Sequence, residues 1–311
     1  MAAASLKLDI KSFDTTNLDK NKLKKISQSI ENLLVQKNTR GMRTLQQALA
    51  AGYYFRAALL LLNAIQANAS NCTIFIATGF PVGSTDETSY ETDGPAGAIS
   101  LYMALKQLGA SPILLCPASL YQSIHLDYDA EPYPVNITLE TQSDFARSLF
   151  DQYQPKVLIA IEAAGMAKDG DYYNMRGEVI SDHAPGFDKL FIDAGIPTIA
   201  IGDGGNEIGM GNLHDLIQTE LSIIPSNTGC DELLIADVSN WGGHGLALML
   251  GACVEQDFLQ DFDNQKSLSY FIQKGSLDGI TGTSQCTEDG FPPNEGQQLV
   301  SQLKAACGFR M

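Results

Sequence analysis

The chain has 311 residues, of which 44% are hydrophobic, enough for a large core, while 18% are charged, below the roughly 25% of an average soluble protein. Its 20 Lys and Arg against 36 Asp and Glu give a formal net charge of −16. Because binding to nucleic acid or anionic lipid depends on Lys and Arg that neutralise phosphates, we expect neither a nucleic-acid nor a membrane partner. A metal ion or a small substrate with a cationic group is compatible with this charge, and so is an acidic surface that serves only solubility.

The sequence predicts a cytoplasmic protein. Its longest apolar stretches, at 57–62 and 246–254, are far below the roughly 20 residues needed to span a bilayer. Residues 1–14 contain no Arg and no basic segment followed by an apolar one, so we predict neither a secretory signal nor a transit peptide. The six Cys show no CxxC pair and no His at zinc spacing, which predicts reduced thiols, several of them buried.

The hydrophobic pattern predicts helices first and then strands alternating with helices. Helical spacing covers 20–68 and is interrupted by NTRGM at 38–42. Short apolar runs predict strands at 72–78, 112–116, 134–138, 156–161, 197–201 and 233–238. Between most of them lie stretches long enough for a helix, including 95–108, 142–153 and 241–258. The tail holds one more helical stretch, a GITGTS loop and a last helix near 296–306.

Continuous apolar strands that alternate with helices are typical of a parallel sheet buried on both faces. We therefore predict a three-layer α/β fold, with a mostly parallel sheet, helices on both faces and an additional helical N-terminal layer. We predict a single domain over 1–311. It comprises the N-terminal layer at 1–70, the α/β core at 71–258 and C-terminal helices at 259–311. A homo-oligomer is compatible with the sequence.

Gly-rich or acidic segments directly follow four of the predicted strands. In an open parallel sheet, ligands bind at the carboxyl ends of the strands, near a topological switch point. The sequence therefore predicts that these four segments converge on one edge of the sheet. They are an acidic loop after 72–78 with Asp86, Glu87, Glu91 and Asp93, the segment beginning at Glu162, GDGGNEIG at 202–209 and SNWGGHG at 239–245.

The GDGGNEIG segment resembles a nucleotide-binding loop only superficially, because Glu207 stands at the third glycine position and no GK[ST] follows. Carboxylates at Asp203 and Glu207 would repel a phosphate unless a cation lay between them. Oxygen ligands on such a turn fit Mg²⁺, Mn²⁺ or Ca²⁺. The alternative is that Gly204 and Gly205 form a turn and that Asp203 or Asn206 caps the following helix. For Asp203 we favour the site, whereas for Asn206 both interpretations stay open.

Two further carboxylates stand at strand or helix boundaries. Glu162 follows an apolar strand directly, so partial desolvation would raise its pKa, which suits a metal ligand or a general base. The alternative for Glu162 is an ion pair with Arg176 or Lys168. For Asp93, spacing alone favours an N-cap role, because Pro95 marks the first position of a helix. The four His share no spacing, and we assign none of them to catalysis.

Several blocks of this sequence resemble the D-glutamate cyclase C-terminal-like family. They are ETDGPAGA at 91–98, IEAAGMAKDGDYYNMRG at 161–177, GDGGNEIGMG at 202–211 and SNWGGHGLA at 239–247. NTRGM at 38–42, TGFP at 78–81 and EDGFP at 288–292 occur in the matching order. The resemblance implies an α/β fold, an acidic pocket for a divalent metal, and conversion of D-glutamate to 5-oxo-D-proline with loss of water. In animal mitochondrial relatives this domain follows a second, unrelated domain, which we expect this chain to lack.

On this resemblance, the reaction is a dehydrating cyclisation of D-glutamate or a similar amino acid, and we assign its tasks to residues of the four segments. Glu162 and Glu207 are the predicted catalytic residues, with Glu207 as a general base or an outer metal partner. Arg176 is predicted to hold the α-carboxylate of the substrate. The predicted metal ligands are Asp93, Glu162 and Asp203, and the predicted substrate-binding residues are Gly79, Arg176, Gly204, Gly205, Asn206 and Asn240.

Two other classes of function use the same residues. A metal-dependent hydrolase of a small phosphate ester or amide would employ the acids around a metal-bound hydroxide. A non-catalytic module would bind metal or an amino acid, gain thermal stability and release no product.

Overall fold

The computed structural model describes residues 13–68, 71–84 and 87–310. Asp86 and residues 1–12, on which the prediction of no targeting signal depends, lie outside the described residues. The described strands are β1 (Thr73–Thr78), β2 (Pro81–Ser84), β3 (Glu87–Tyr90), β4 (Ser111–Pro117), β5 (Ala130–Tyr133), β6 (Val157–Ile161), β7 (Thr198–Gly202) and β8 (Glu232–Ile235).

Six of these strands form one sheet in the order β5-β4-β1-β6-β7-β8, and every neighbouring pair is parallel. Side chains on β1 alternate between two apolar cores, with Ile74 and Ile76 in one and Phe75 and Ala77 in the other. The sheet is therefore buried on both faces, which explains why its strands are apolar without interruption.

The described helices lie on both faces of this sheet. They are α1 (Lys20–Leu34), α2 (Met42–Gln46), α3 (Tyr53–Asn68), α4 (Pro95–Gln107), α5 (Ala118–Ile124), α6 (Leu139–Tyr153), α7 (Asp188–Ile192), α8 (His214–Glu220), α9 (Ser239–Val254), α10 (Asn264–Ile272) and α11 (Pro293–Cys307). Helices α1, α3, α4, α9 and α11 contribute to one core, and α6 and α7 to the other. This arrangement confirms the predicted three-layer α/β fold. Among the described helices, none has the length and apolar character required to cross a bilayer.

The structure corrects the predicted strand at 134–138. The edge strand β5 ends at Tyr133, and Asn136 has a φ of 50°, a left-handed conformation that an extended strand does not accommodate. Val135 makes only an isolated bridge to Pro185. The segment after β1 also differs from a plain acidic loop, because β2 and β3 pair there as an antiparallel hairpin.

Close packing of α4 against α9 sets the position of the first turn of α9 at the carboxyl edge of the sheet. A Cβ at Gly97 would lie 2.8 Å from the Cα of Asn240, and one at Gly243 would lie 2.8 Å from the Cα of Gly97. The two helix backbones approach this closely only because both positions are glycine. The first turn of α9 is thereby held against the segment that precedes α4, next to the carboxyl ends of β6 and β7.

Candidate active site

A cavity of about 360 Å³ lies at the carboxyl edge of the sheet. Its volume falls in the range of about 300–1,000 Å³ that is usual for small-molecule sites. Glu162 and Asp203, the first residues after β6 and β7, both line it. The lining also includes residues after β1, and the fourth predicted segment, 239–245, contributes none but contacts Asp203 and Glu162 through Ser239. The polar members of the lining are Arg40, Glu91, Glu162, Asn174, Arg176, Asp203, Asn206, Glu207, Thr281 and Asp289.

The N-terminus of α9 holds two of the predicted metal ligands. The backbone N–H of Ser239 donates to Asp93 Oδ2 and to Asp203 Oδ2, both at 2.9 Å. The backbone N–H of Asn240 donates to Asp93 Oδ1 at 2.6 Å. Because the first N–H groups of a helix lack partners within it and carry partial positive charge, they stabilise carboxylates at this point.

These contacts correct the capping roles considered for the two aspartates. The N-cap of α4 is Gly94, with no side-chain cap, and Asp93 instead caps α9 from a distant part of the chain. Asp203 caps α9 as well, not the helix that follows it. Asn206 does not cap the helices that follow it, whose N-caps are Gly209 and Leu213. Its side chain instead donates to the backbone oxygen of Tyr173 at 2.8 Å.

Glu162 is a buried carboxylate held by a hydroxyl group. Ser239 Oγ donates to Glu162 Oε2 at 2.6 Å, and the backbone of Glu162 adopts a φ of 47°. Burial raises the pKa of Glu162 well above its ordinary value, and the charges of Glu207 and Asp93 raise it further. The Ser239 hydrogen bond opposes this rise only in part.

Neither ion pair considered for Glu162 forms. Arg176 Nη2 lies 3.0 Å from Glu178, and Lys168 Nζ lies 3.9 Å from Asp215. Arg176 lines the rim of the cavity, but its side chain is 68% exposed. The cavity therefore contains Glu162 without a cationic side chain in direct contact with it among the described residues.

Glu207 fixes the backbone of the GDGG turn. Its Oε1 accepts from the backbone N–H of Asp203 at 3.2 Å and of Gly204 at 2.6 Å, and its Oε2 accepts from that of Gly205 at 2.6 Å. Gly205 has a φ of 115°, which other residues rarely adopt. Glu207 thus holds Asp203 in place and also lines the cavity.

Asp93, Glu162, Asp203 and Glu207 form a cluster of carboxylates at this edge of the sheet. Sequence reasoning missed the cation of this cluster, Arg40, which follows α1 in the NTRGM segment. Arg40 Nη2 lies 2.8 Å from Asp203 Oδ2, donates to the backbone oxygen of Asp237 at 3.0 Å, and forms an ion pair with Asp289. Asp289 was missed too. The sequence did contain a signal for both residues, because Arg40 lies in NTRGM and Asp289 in EDGFP, two of the blocks that resemble the family.

Burial and mutual repulsion perturb the acids of the cluster. Burial raises the pKa of Asp93 to about 7, and the charge of Asp289 contributes to the rise. Burial also raises the pKa of Asp203 well above its ordinary value, which the charge of Arg40 opposes. The pKa of Glu91 is raised by burial and by the charge of Glu162. Perturbed groups of this kind are typical of functional sites.

The carboxylates are close enough to share a cation. One oxygen from each of Asp93, Asp203 and Asp289 lies within 4.8 Å of the others, and the same holds for Glu162, Asp203 and Glu207. Asp203 belongs to both groups. Buried carboxylate oxygens are hard ligands suited to Mg²⁺, Mn²⁺ or Ca²⁺, and their combined charge exceeds that of Arg40.

The remaining predicted residues, Gly79, Gly204, Gly205 and Asn240, are not among those that line the cavity. Gly204 and Gly205 belong to the GDGG turn that Glu207 holds, while Gly79, with a φ of 118°, packs against Pro117. The side chain of Asn240 is fully engaged. Its Oδ1 accepts from the backbone N–H of Gly97, and its Nδ2 donates to the Thr92 backbone oxygen and to Glu288 Oε2.

The sequence profile of the family described as D-glutamate cyclase-like, C-terminal, matches residues 30–304. The chain belongs to this family. It is also similar to the human protein named D-glutamate cyclase, mitochondrial, with 29% identity over an alignment that covers 74% of this chain and 45% of the human protein. The chain thus spans less than half the length of this relative. Within the family match lie Arg40, the GDGG turn, the first turn of α9 and Asp289.

Proposed function

We propose that this protein is a metal-assisted lyase that converts D-glutamate to 5-oxo-D-proline and water. Membership of the D-glutamate cyclase-like family supports a related enzymatic function. The observation that carries the proposal is a cavity of small-molecule size lined by Glu162 and Asp203, two buried carboxyl groups with raised pKa values that contact the first residue of α9. Such groups suit a reaction that both removes and delivers protons.

A divalent cation fits this cluster because of its donor set. Asp203 would hold it, together either with Glu162 and Glu207 or with Asp93 and Asp289. When bound, the cation would supply Lewis-acid polarisation of the γ-carboxylate and compensate the buried negative charge. Mg²⁺ and Mn²⁺ are the expected ions, and Ca²⁺ is compatible with the same ligands.

The residues of the chain supply the remaining tasks. The α-ammonium group must lose one proton before its nitrogen attacks the γ-carboxylate carbon and a second as the lactam forms, and the departing carboxylate oxygen must gain two protons to leave as water. We assign these transfers to Glu162, because burial raises its pKa and so favours a carboxyl group that can take up a proton and deliver it. Glu207 positions Asp203 and the GDGG turn through three backbone N–H groups. The apolar side chains of Phe80, Ile180 and Ile280 also line the cavity.

The test is mass spectrometry of 5-oxoproline with chiral separation. The purified chain is incubated with D- or L-glutamate, with Mn²⁺, with Mg²⁺ or with EDTA. We expect product from D-glutamate only, with loss of product in EDTA and in Glu162→Gln. The matched control is Glu178→Gln, which removes an exposed carboxylate that pairs with Arg176. Absence of product under every metal condition would refute the proposal.

The same incubation separates the two other classes of function. Turnover of generic phosphate esters or amides would favour a metal-dependent hydrolase. Thermal stabilisation by metal or amino acid without any product would favour a binding module. The cytoplasmic location and the homo-oligomer stay predictions.

A further inference from the structure

Glu91 is a buried acid without a partner. The residue is 6% exposed and lines the cavity. Within the described part of the chain, no group donates a hydrogen bond to its carboxyl oxygens, and neither oxygen is one of the fully enclosed side-chain atoms that lack a partner. Both oxygens are therefore accessible from the cavity. An unpartnered group in such a position usually indicates a ligand, an ion or a water molecule.

The other acids that line the cavity each have a donor within the described residues. These acids are Glu162, Asp203, Glu207 and Asp289. Arg40, the cation of the cluster, pairs with two of them and not with Glu91. Glu91 also belongs to neither of the two sets of acids that are close enough to share a metal ion. Arg40 and a metal ion at those acids thus leave Glu91 without a cation in direct contact.

The backbone around Glu91 fixes the direction of its side chain. The backbone N–H of Glu91 donates to the Phe80 oxygen at 3.1 Å, and that of Thr92 donates to the Leu277 oxygen at 2.9 Å. A Cβ on Gly279 would lie 1.8 Å from Glu91 Oε2. The carboxyl group therefore packs directly against the backbone of Gly279, and any side chain at that position would displace it.

The loop that carries Gly279 is itself held by a buried acid. Asp278 Oδ1 accepts from the backbone N–H of Ile280 at 3.1 Å and of Thr281 at 2.7 Å. Its Oδ2 accepts from the backbone N–H of Gly290 at 2.8 Å. The wall of the cavity beside Glu91 is therefore preorganised, so binding a ligand there costs little ordering of the chain.

An ammonium group fits an isolated buried carboxylate better than a second divalent metal ion does. A divalent ion requires several oxygen ligands, whereas an ammonium group has three N–H donors and pairs readily with a single carboxylate. A buried charge is costly unless it is paired, and a hydrogen bond between two charged groups is strong where water is excluded. A cation at this position also favours the ionised form of Glu91 that burial disfavours.

We propose that Glu91 binds the α-ammonium group of the amino-acid substrate. This inference rests on the proposed function and names the residue that distinguishes an amino acid from a plain dicarboxylic acid. Burial raises the pKa of Glu91, and so does the charge of Glu162, which lies nearby. An ammonium group held by Glu91 is therefore close to the group to which we assign the proton transfers.

The test is calorimetric titration of two ligands that differ only in the amine, in saturating Mn²⁺. D-Homocysteate is D-glutamate with a sulfonate in place of the γ-carboxylate, so it cannot form the lactam. 4-Sulfobutanoate is the same molecule without the amine. We expect the wild type to bind D-homocysteate at least about tenfold more tightly than 4-sulfobutanoate, because the amine adds a charge-assisted hydrogen bond.

In Glu91→Gln this preference for the amine should fall to about one. The ratio of the two affinities within one variant cancels effects on the metal or on the anionic groups of the ligand. Glu140→Gln is the matched control, since Glu140 is exposed in the first turn of α6 and does not line the cavity. If Glu91→Gln does not fold, Gly279→Ala decides, because it keeps the charge and displaces the carboxyl group.

Mn²⁺ affinity without either ligand is the second readout. Glu91→Gln should bind Mn²⁺ within about threefold of the wild type, because Glu91 lies outside both sets of acids that can share a metal ion. A loss as large as that caused by Glu162→Gln would assign Glu91 to the metal and overturn the inference.

The inference is also overturned if the wild-type preference for the amine is below about threefold, or if Glu91→Gln keeps a preference within about threefold of the wild type. A preference that depends on Glu91 in a protein that forms no 5-oxoproline would refute the cyclase alone. Cyclisation of D-glutamate with a preference that is independent of Glu91 would refute this inference alone.

Discussion

Ser239 Oγ donates a 2.6 Å hydrogen bond to Glu162 Oε2, which joins the first residue of α9 to the first residue after β6. The backbone N–H of the same serine donates to Asp93 and Asp203. One residue thus contacts three carboxylates that come from three distant parts of the chain. The helix N-terminus and the serine hydroxyl together make this concentration of buried negative charge tolerable.

Replacing the serine should destabilise the cluster and alter the titration of its carboxylate. In Ser239→Ala the backbone contacts persist, but Glu162 loses its hydroxyl donor. We expect a decrease of about 1–3 kcal/mol in the free energy of unfolding. The pKa of Glu162 should rise further, so the limb of the pH–rate profile that depends on its ionisation should move to higher pH.

Urea unfolding and a pH–rate profile measure these two effects. Ser29→Ala is a suitable control, since Ser29 is exposed and its hydroxyl donates to a backbone oxygen of its own helix at 3.1 Å. Equal unfolding free energies and superimposable pH profiles for Ser239→Ala and wild type would contradict the role given to this hydrogen bond.

Neutralising a shared carboxylate should weaken metal binding. We expect Glu162→Gln and Asp203→Asn each to reduce Mn²⁺ affinity by at least about tenfold, because each removes a charged oxygen ligand from the cluster. Titration calorimetry with Mn²⁺ measures the loss, and Glu178→Gln controls for the change in net charge. Unchanged affinity and unchanged turnover in both variants would remove these residues from the proposed site.

The stabilising effect of a divalent cation should increase with pH. Without the cation, burial raises the pKa of Asp93 from 3.8 to about 7. Its contribution to stability is therefore complete below about pH 4 and is lost as pH rises through about 7, where the buried group ionises in the folded state. A cation that binds the ionised carboxylate compensates that loss.

Melting temperatures between pH 5 and 8 with Mn²⁺ or with EDTA measure this linkage. The difference in Tm between the two series should be larger at pH 8 than at pH 5.5. A difference that stays constant or declines with increasing pH would indicate that the cation binds elsewhere.

His244 should make the protein sensitive to acid. It is fully buried in α9 with both ring nitrogens unpartnered among the described residues, and burial lowers its pKa from 6.5 to about 3. Its contribution to stability is present above about pH 6.5 and is lost as pH falls toward 3, because only the unfolded state gains a proton in that interval.

Chemical unfolding of His244→Leu at pH 8 and at pH 4.5 tests this expectation. Leu has a similar volume and no polar atoms, so the variant should unfold with at least the wild-type free energy at pH 8. The difference in the free energy of unfolding between the variant and the wild type should increase at pH 4.5. A wild type that loses no more stability than the variant on acidification would show that the imidazole is not held neutral.

The sequence determined the layer structure because apolar periodicity is a local property. Five of six predicted sheet strands overlap observed ones, and the exception, 134–138, failed where Asn136 takes a left-handed conformation. The rule that ligands bind at the carboxyl ends of parallel strands also directed attention to Glu162 and Asp203 from spacing alone. Both residues line the cavity.

Only the tertiary structure decided which side chains contact the cluster. Arg40 and Asp289 are separated by 249 positions and form an ion pair, which no local pattern encodes. Sequence spacing predicted that Asp93 caps α4, which directly follows it. The glycine contacts between α4 and α9 instead bring Asp93 to the N-terminus of α9. The sequence by itself determined which acidic residues directly follow the strands of the sheet. Long-range packing decided their partners and their charge, because burial and Coulomb interactions depend on distances in space, not along the chain.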